Sequence, residues 1–449
     1  MSLPASVFKA YDVRGLSPEE LDADGAYRIA RAYVDVFEPA SVVVGHDMRV
    51  TSEELARAVV SGITDGGADA VSIGLVGTEM MYFAVGEHGY DGGIQVTASH
   101  NPKEYNGMKI VRRGGLPVGG DSGLDRVRDA ALAGTFREVT AKGVESSLNV
   151  LDGYTEKVLS FVDADALAPL RVVLDGGSGM AGVMLSKVLP RLPIDATGYF
   201  LEPDGTFPDH QPNPLLEENR RFIIEKVVEA GADLGIAWDG DADRCFFIDD
   251  TGTFVSGDFI TALLAESILE THPGATILYD LRASDAVPDL VGEKGGKAIE
   301  SRVGHAFIKL RMREESAIFA GEVSGHYYFG DFYSVDAGVP PALLVLQLLS
   351  RSGKKLSELL APLRKKYFIS DEINTRVADV PLKLQELKDE FGGDGATVTH
   401  LDGVSIRRPD YHFNVRPSNT EPLLRLNLEA YSQADMERYR DRVLEVIER

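Results

Sequence analysis

The sequence predicts an α/β protein: three related mixed α/β domains plus a C-terminal α+β domain around a central cleft. Three observations carry this. A length of 449 residues suits three or four domains at roughly 100–200 residues each. Three times, a β-rich apolar run ends on Gly or Asp, passes through a polar loop and enters a segment compatible with a helix. After about Tyr367 that order breaks down, and strands and helices follow without it.

The first repeat is "SVVVGHDMRVTSEELARAVVSGI" from Ser41, the second "LRVVLDGGSGMAGVMLSKVL" from Leu170 and the third "ATILYDLRASDAVPDLV" from Ala275. Strand followed by helix in this order signals βαβ units and parallel strands. Each is followed by a second buried strand running into a loop of unusual chemistry: "GGIQVTASHNPKEYNG", "ADLGIAWDGDADRCFFIDD" and "SAIFAGEVSGHYYFG". The spacing is similar but not periodic, which marks divergent related domains rather than a solenoid. Ligands of α/β domains gather where loops leave the carboxyl ends of strands, so three such loops point to one shared cleft. The expected domains are 1–145, 146–249, 250–366 and 367–449. In the last, "HFNVRPSNTEPLLRLNLEA" reads as strand, loop, strand, and "QADMERYRDRVLEVIER" as a closing helix.

Charge narrows the partners. Lys and Arg total 46 against 70 Asp and Glu, a net charge of −24. Such a surface repels a phosphate backbone, so no nucleic acid and no anionic membrane are expected as partners. A small anionic substrate remains open, provided cationic residues are gathered locally. The single cysteine, Cys245, excludes an internal disulfide and suits a reducing cytoplasm. No secretory leader is expected from "MSLPASVFKAYDVRG", and "GVPPALLVLQLLS" is too short and too interrupted to span a bilayer. The expectation is a soluble, cytoplasmic monomer.

Four loops carry the chemistry. "TASHNP" (97–102) sets Ser99 beside His100, and Ser99 reads as a nucleophile, a turn residue or a cap. No G-x-S-x-G elbow supports a serine hydrolase. "DGDADR" (239–244) places Asp239, Asp241 and Asp243 on alternate residues, where they repel unless a cation or a turn separates them. Oxygen-only ligands favour a hard cation, and Mg²⁺ suits one that also touches phosphate. A calcium loop would want Gly at the sixth place, which is Arg244. "RPSNTEP" (416–422) brings Arg416, Ser418, Asn419 and Thr420 into one turn, the fork and short donors that a phosphate dianion wants. "GEVSGHYYF" (321–329) offers Glu322, Ser324 and His326, and a carboxylate with a hydroxyl can read vicinal sugar hydroxyls. Each loop also reads as an ordinary turn when taken alone. His305 in "RVGHAFIK" reads equally as a core histidine, and Tyr11 and Arg14 in "KAYDVRG" signify little by themselves.

Together, in this order, the four loops resemble those of the α-D-phosphohexomutases over essentially the whole chain. "GEVSGH", "VGHAFIK" and "KAYDVRG" look most like the bacterial phosphomannomutase/phosphoglucomutase branch. Phosphoglucosamine mutases are similar, though usually with Gln where this chain has Val323. The resemblance implies a phosphoserine at Ser99, and Mg²⁺ held by that residue with Asp239, Asp241 and Asp243. It implies that Glu322 and Ser324 bind sugar hydroxyls, and that Arg416, Ser418, Asn419 and Thr420 bind the non-reacting phosphate. Tyr11, Arg14, His100, Lys109, Arg244, His305 and His326 match family cleft positions. Arg282 stands where some members have a lysine, and a planar fork is not interchangeable with a point charge. The implied reaction moves phosphate between O1 and O6 of a hexose through a hexose 1,6-bisphosphate, which also serves as activator. Lys109 or His326 would be the general acid or base, and small-molecule sugar phosphates the partners. A phosphatase and a non-catalytic sugar-phosphate binding protein are the rival readings.

Overall fold

The computed structural model describes residues 3–417 and 423–449, the side chain of Asp121 aside. Each repeat folds alike. Strand Ser41–His46 lies between Asp69–Leu75 and Gly92–Val96, parallel to both. Strand Arg171–Asp175 lies in the same way between Asp195–Tyr199 and Leu234–Trp238. Strand Thr276–Asp280 lies between Lys297–Ser301 and Phe319–Gly321. The apolar runs explain this: "GGIQV" and "LGIAW" are buried along their whole length, as strands covered on both faces must be. The helices after the central strands run Ser52–Asp65, Ala181–Leu185 and Ala286–Glu293. The second is much shorter than its sequence suggests. The loop before it is no longer than the other two, but the helix ends early at Leu185, where the chain turns into the 3-10 stretch Leu189–Arg191 that contains Pro190.

In the first two sheets the third of these parallel strands is followed by an antiparallel one. Gly92–Val96 pairs antiparallel with Tyr105–Arg112, and Leu234–Trp238 with Cys245–Asp249. "TASHNP" and "DGDADR" are therefore the same connection in two copies of one design.

Contacts divide the chain into two compact units, Met1–Val255 with Ser324–Leu356, and Ser256–Val323 with Ser357–Arg449. The first holds the two sheets just described and the antiparallel pair Tyr327–Phe329 and Val335–Asp336. The second holds the three parallel strands around Thr276–Asp280 and an antiparallel C-terminal sheet. That sheet is ordered Phe368–Ile369, Leu423–Ala430, Tyr411–Pro417, Val404–Arg407 and Thr397–Thr399, with Ile373–Arg376 also on Leu423–Ala430. Leu387 and Phe391 from one helix and Val443 and Ile447 from the closing helix pack on Phe413 and Leu426 of the sheet. Ser432 caps that closing helix by accepting from the Asp435 N–H at 3.1 Å. No helix among the described residues is long and apolar enough to cross a membrane.

Candidate active site

Ser99 sits just past a strand end in left-handed backbone, φ 46°, as does Ala242 in the acidic loop, φ 58°. Such conformations cost of order 1–3 kcal/mol and persist where the surroundings over-determine them. Here the surroundings do. Arg49, itself buried, donates to the carbonyls of Ser99 at 2.7 Å, Asn101 at 2.6 Å, Pro102 at 2.8 Å and Tyr105 at 2.9 Å. Gly240 is required at the crossing of the two loops, since a Cβ there would stand 2.4 Å from the Ser99 carbonyl oxygen.

That close approach brings the two loops' side chains together. Ser99 Oγ donates to Asp239 Oδ2 at 2.6 Å and lies 3.2 Å from His100 Nδ1. Arg244 returns along its own loop, donating from Nε to Asp239 Oδ2 at 2.9 Å, while its Nη2 is buried without a hydrogen bond. Lys109, from the strand after the serine loop, donates to Asp241 Oδ2 at 2.7 Å and to Asp243 Oδ2. Thr78 donates its hydroxyl to Asp241 and its N–H to the Asp241 carbonyl. Arg14 reaches Asn101 Oδ1 at 3.3 Å and pairs with Asp12. His326 Nε2 stands 3.7 Å from Asp243 Oδ1, and its Nδ1 meets Ser324 Oγ at 3.0 Å. Tyr11 is half-buried in the bend before strand Val13–Leu16.

Electrostatics follow from burial. Asp239, Asp241 and Asp243 are at most 1% exposed. Burial, then Asp241, pushes Asp243 well above the carboxylate range. Burial works the same way on Asp241, but Lys109 and then Thr78 override it and hold that carboxyl well down. Burial disfavours the Lys109 ammonium, yet Asp241 and Asp243 keep it firmly charged. Burial, then the Arg244 and Arg14 cations, holds His100 neutral. The three aspartates each offer an oxygen within 4.8 Å of the others, and Asp241 Oδ1 and Asp243 Oδ1 are buried without a hydrogen bond. An all-oxygen donor set with unsatisfied acceptors fits a hard divalent cation.

The second unit gathers the opposite charge. Arg416 and Arg425 are direct cross-strand partners, and both reach Glu372, at 2.8 Å and 3.0 Å. Arg282 clamps Asp280 with two donors, each at 2.9 Å, and faces Glu322 at 3.9 Å and Glu372 at 3.7 Å. Glu322, 1% exposed, accepts from the Gly304 N–H at 3.0 Å, and His305 Nδ1 lies 3.4 Å from Lys309 Nζ. Ser418, Asn419 and Thr420 lie outside the described residues.

Sequence reasoning missed Arg49, Thr78, Asp12, Glu372 and Arg425. Arg49 carried a signal: "HDMR" follows the first parallel strand at its carboxyl end. Glu372 carried none, because its role comes from partners far along the chain.

A buried serine thus meets a carboxylate cluster at the carboxyl ends of parallel strands, where ligands of α/β folds gather. Four models, for α/β/α domains I, II and III and the C-terminal domain of phosphoglucomutase/phosphomannomutase, match residues 5–138, 152–252, 256–367 and 372–446. The chain belongs to the phosphoglucomutase/phosphomannomutase family. It is 44% identical to a phosphomannomutase of Salmonella montevideo over 448 residues, covering 98% of each chain. It is 42% identical to a protein of Xanthomonas campestris pv. campestris named for phosphohexose mutases, covering 97% of this chain and 96% of that one. Among solved structures, a phosphoglucomutase/phosphomannomutase family protein from Burkholderia thailandensis superposes with a TM-score of 0.91 at 33% identity. That match covers 99% of this chain and 98% of the other.

Proposed function

We propose that the chain interconverts hexose 1-phosphates and hexose 6-phosphates of mannose and glucose, through a phosphoserine at Ser99 and a hexose 1,6-bisphosphate. The observation that supports this most is Ser99 Oγ at 2.6 Å from Asp239, inside an acidic cluster and beside the unpartnered Arg244 Nη2. Phosphoryl transfer needs positioning and charge dispersal more than covalent machinery. Mg²⁺ held by Asp239, Asp241, Asp243 and the serine-borne phosphate would neutralise charge on the transferring group.

The chain's own residues do the rest. The Oγ–P bond of phosphorylated Ser99 breaks as the free sugar hydroxyl forms its own O–P bond. Arg244 offers Nη2 to the phosphoryl oxygens. Lys109, kept charged by two carboxylates, serves as fixed positive charge rather than as a base. The hydroxyl proton goes to His326, whose other ring nitrogen is tied to Ser324. The leaving Ser99 oxygen takes a proton from solvent while His326 gives its proton back to solvent, and Ser99 returns to the form that donates to Asp239. Glu322 and Ser324 read the sugar hydroxyls, and Arg416 with Ser418, Asn419 and Thr420 takes the phosphate that does not react. Tyr11, Arg14, His100, Arg282 and His305 complete the substrate surroundings. The domains divide at 1–145, 146–249, 250–366 and 367–449, and the enzyme acts as a cytoplasmic monomer.

Rates on mannose, glucose, glucosamine and N-acetylglucosamine 1-phosphates, with a hexose 1,6-bisphosphate present, test the assignment. Turnover of the first two is expected. Turnover of glucosamine 1-phosphate alone would replace this substrate class with phosphoglucosamine.

A further inference from the structure

The basic cluster holds a residue that the family resemblance does not account for. Arg416 and Arg425 face each other directly across the antiparallel strands Tyr411–Pro417 and Leu423–Ala430. Like charges directly opposed across a ladder destabilise it. Arg282 adds a third guanidinium nearby, although Asp280 already engages it with two hydrogen bonds. Repulsion would splay the remaining two, and each splayed rotamer would have to be recovered when an anion bound.

Glu372 prevents this. One carboxylate oxygen accepts from Arg416 Nη2 at 2.8 Å and the other from Arg425 Nη1 at 3.0 Å. Its Oε2 also stands 3.7 Å from Arg282 Nη1. The contact to Arg416 uses a single terminal nitrogen, and Arg416 Nε and Arg425 Nε remain buried without hydrogen bonds. The carboxylate therefore braces the guanidiniums from one side and leaves donors over. Arg416 is 11% exposed and Glu372 26%, so the contact is shielded enough to hold one geometry.

We propose that Glu372 is a positioning residue of the phosphate site, setting the Arg416 and Arg425 guanidiniums in a binding-ready arrangement before the anion arrives. This rests on the mutase reading above. A brace and a competitor differ in sign. If Glu372 merely filled the phosphate's place, removing its charge would tighten anion binding. As a brace, its removal weakens it.

The test is Glu372→Gln, an isosteric change at a half-exposed position, compared with the parent by calorimetric titration of glucose 1-phosphate and by steady-state kinetics. About a tenfold weaker Kd is expected, with KM raised to match, kcat within about twofold and an unchanged melting temperature. Adding Arg416→Ala to Glu372→Gln should make binding little worse than Arg416→Ala alone, because Glu372 acts through Arg416. Unchanged or tighter binding in Glu372→Gln would overturn the proposal while leaving the mutase reading intact. So would a fall in kcat with KM unmoved. A parent that binds neither glucose 1-phosphate nor inorganic phosphate would overturn both.

Discussion

The acidic cluster of the first unit and the basic cluster of the second are built on opposite rules. Around Asp239, Asp241 and Asp243 the cations Lys109 and Arg244 are shared among carboxylates, and oxygens of Asp241 and Asp243 are left without hydrogen bonds. Around Glu372 one carboxylate is shared among guanidiniums, and the atoms left over are donors, Nε of Arg416 and Nε of Arg425. One cluster lacks positive charge and the other lacks negative charge. Each deficit suits a ligand of the opposite sign: a divalent cation in the first, an anion in the second. A net charge of −24 does not prevent anion binding when arginines are collected in one place.

The contrast predicts that damage to the acidic cluster removes turnover while damage to the basic cluster weakens binding. The largest effect is expected at the metal loop. Rigorous chelation should abolish activity, and Mg²⁺ should restore it. Asp241→Asn should lower kcat by about a thousandfold, the several kcal/mol a metal supplies, with glucose 1-phosphate still bound. Full activity after chelation would break the comparison on its acidic side.

Next in size is Arg416→Ala, which removes a charge-assisted contact of roughly 1.5–3 kcal/mol. KM should rise about tenfold or more, with far less effect on kcat. An unchanged affinity for both sugar phosphate and bisphosphate would place the phosphate site elsewhere.

A third effect, on stability rather than on activity, lies behind the acidic cluster, at Glu79, the neighbour of Thr78. Burial pushes its carboxyl up to about 7 from 4.5, against the donors Tyr154, Gly338 and Val339. A raised acid favours the folded state fully below about pH 4.5 and loses that contribution as pH rises to about 7. At about 1.4 kcal/mol per pH unit the loss is at most about 3.5 kcal/mol. Melting temperature should therefore fall less across this range in Glu79→Gln than in the parent. Identical slopes would show that Glu79 titrates alike in the folded and unfolded chains.

The repeat and the chemistry of single loops were legible in the sequence, because strand–loop–helix order and runs such as "LGIAW" are local signals. The pairing of "TASHNP" with "DGDADR" was only implied by their equivalent places. Burial was not legible: "DGDADR" reads as well as a solvated turn, yet its aspartates are enclosed because Gly240 lets the serine loop lie against it. Arg49, Thr78 and Glu372 act through partners distant in sequence, and no spacing within a loop announces them. Arg282 was legible as a cationic residue, but its engagement with Asp280 was not.

The central claim is that Ser99 carries the phosphoryl group between turnovers, and transfer of label tests it most directly. Enzyme labelled on Ser99 is mixed with unlabelled glucose 1-phosphate, with Ser99→Ala, which should bind substrate but hold no label, run in parallel. Label is expected first in the bisphosphate and then in glucose 6-phosphate. Label released only as inorganic phosphate, or turnover that survives in Ser99→Ala, would contradict the account.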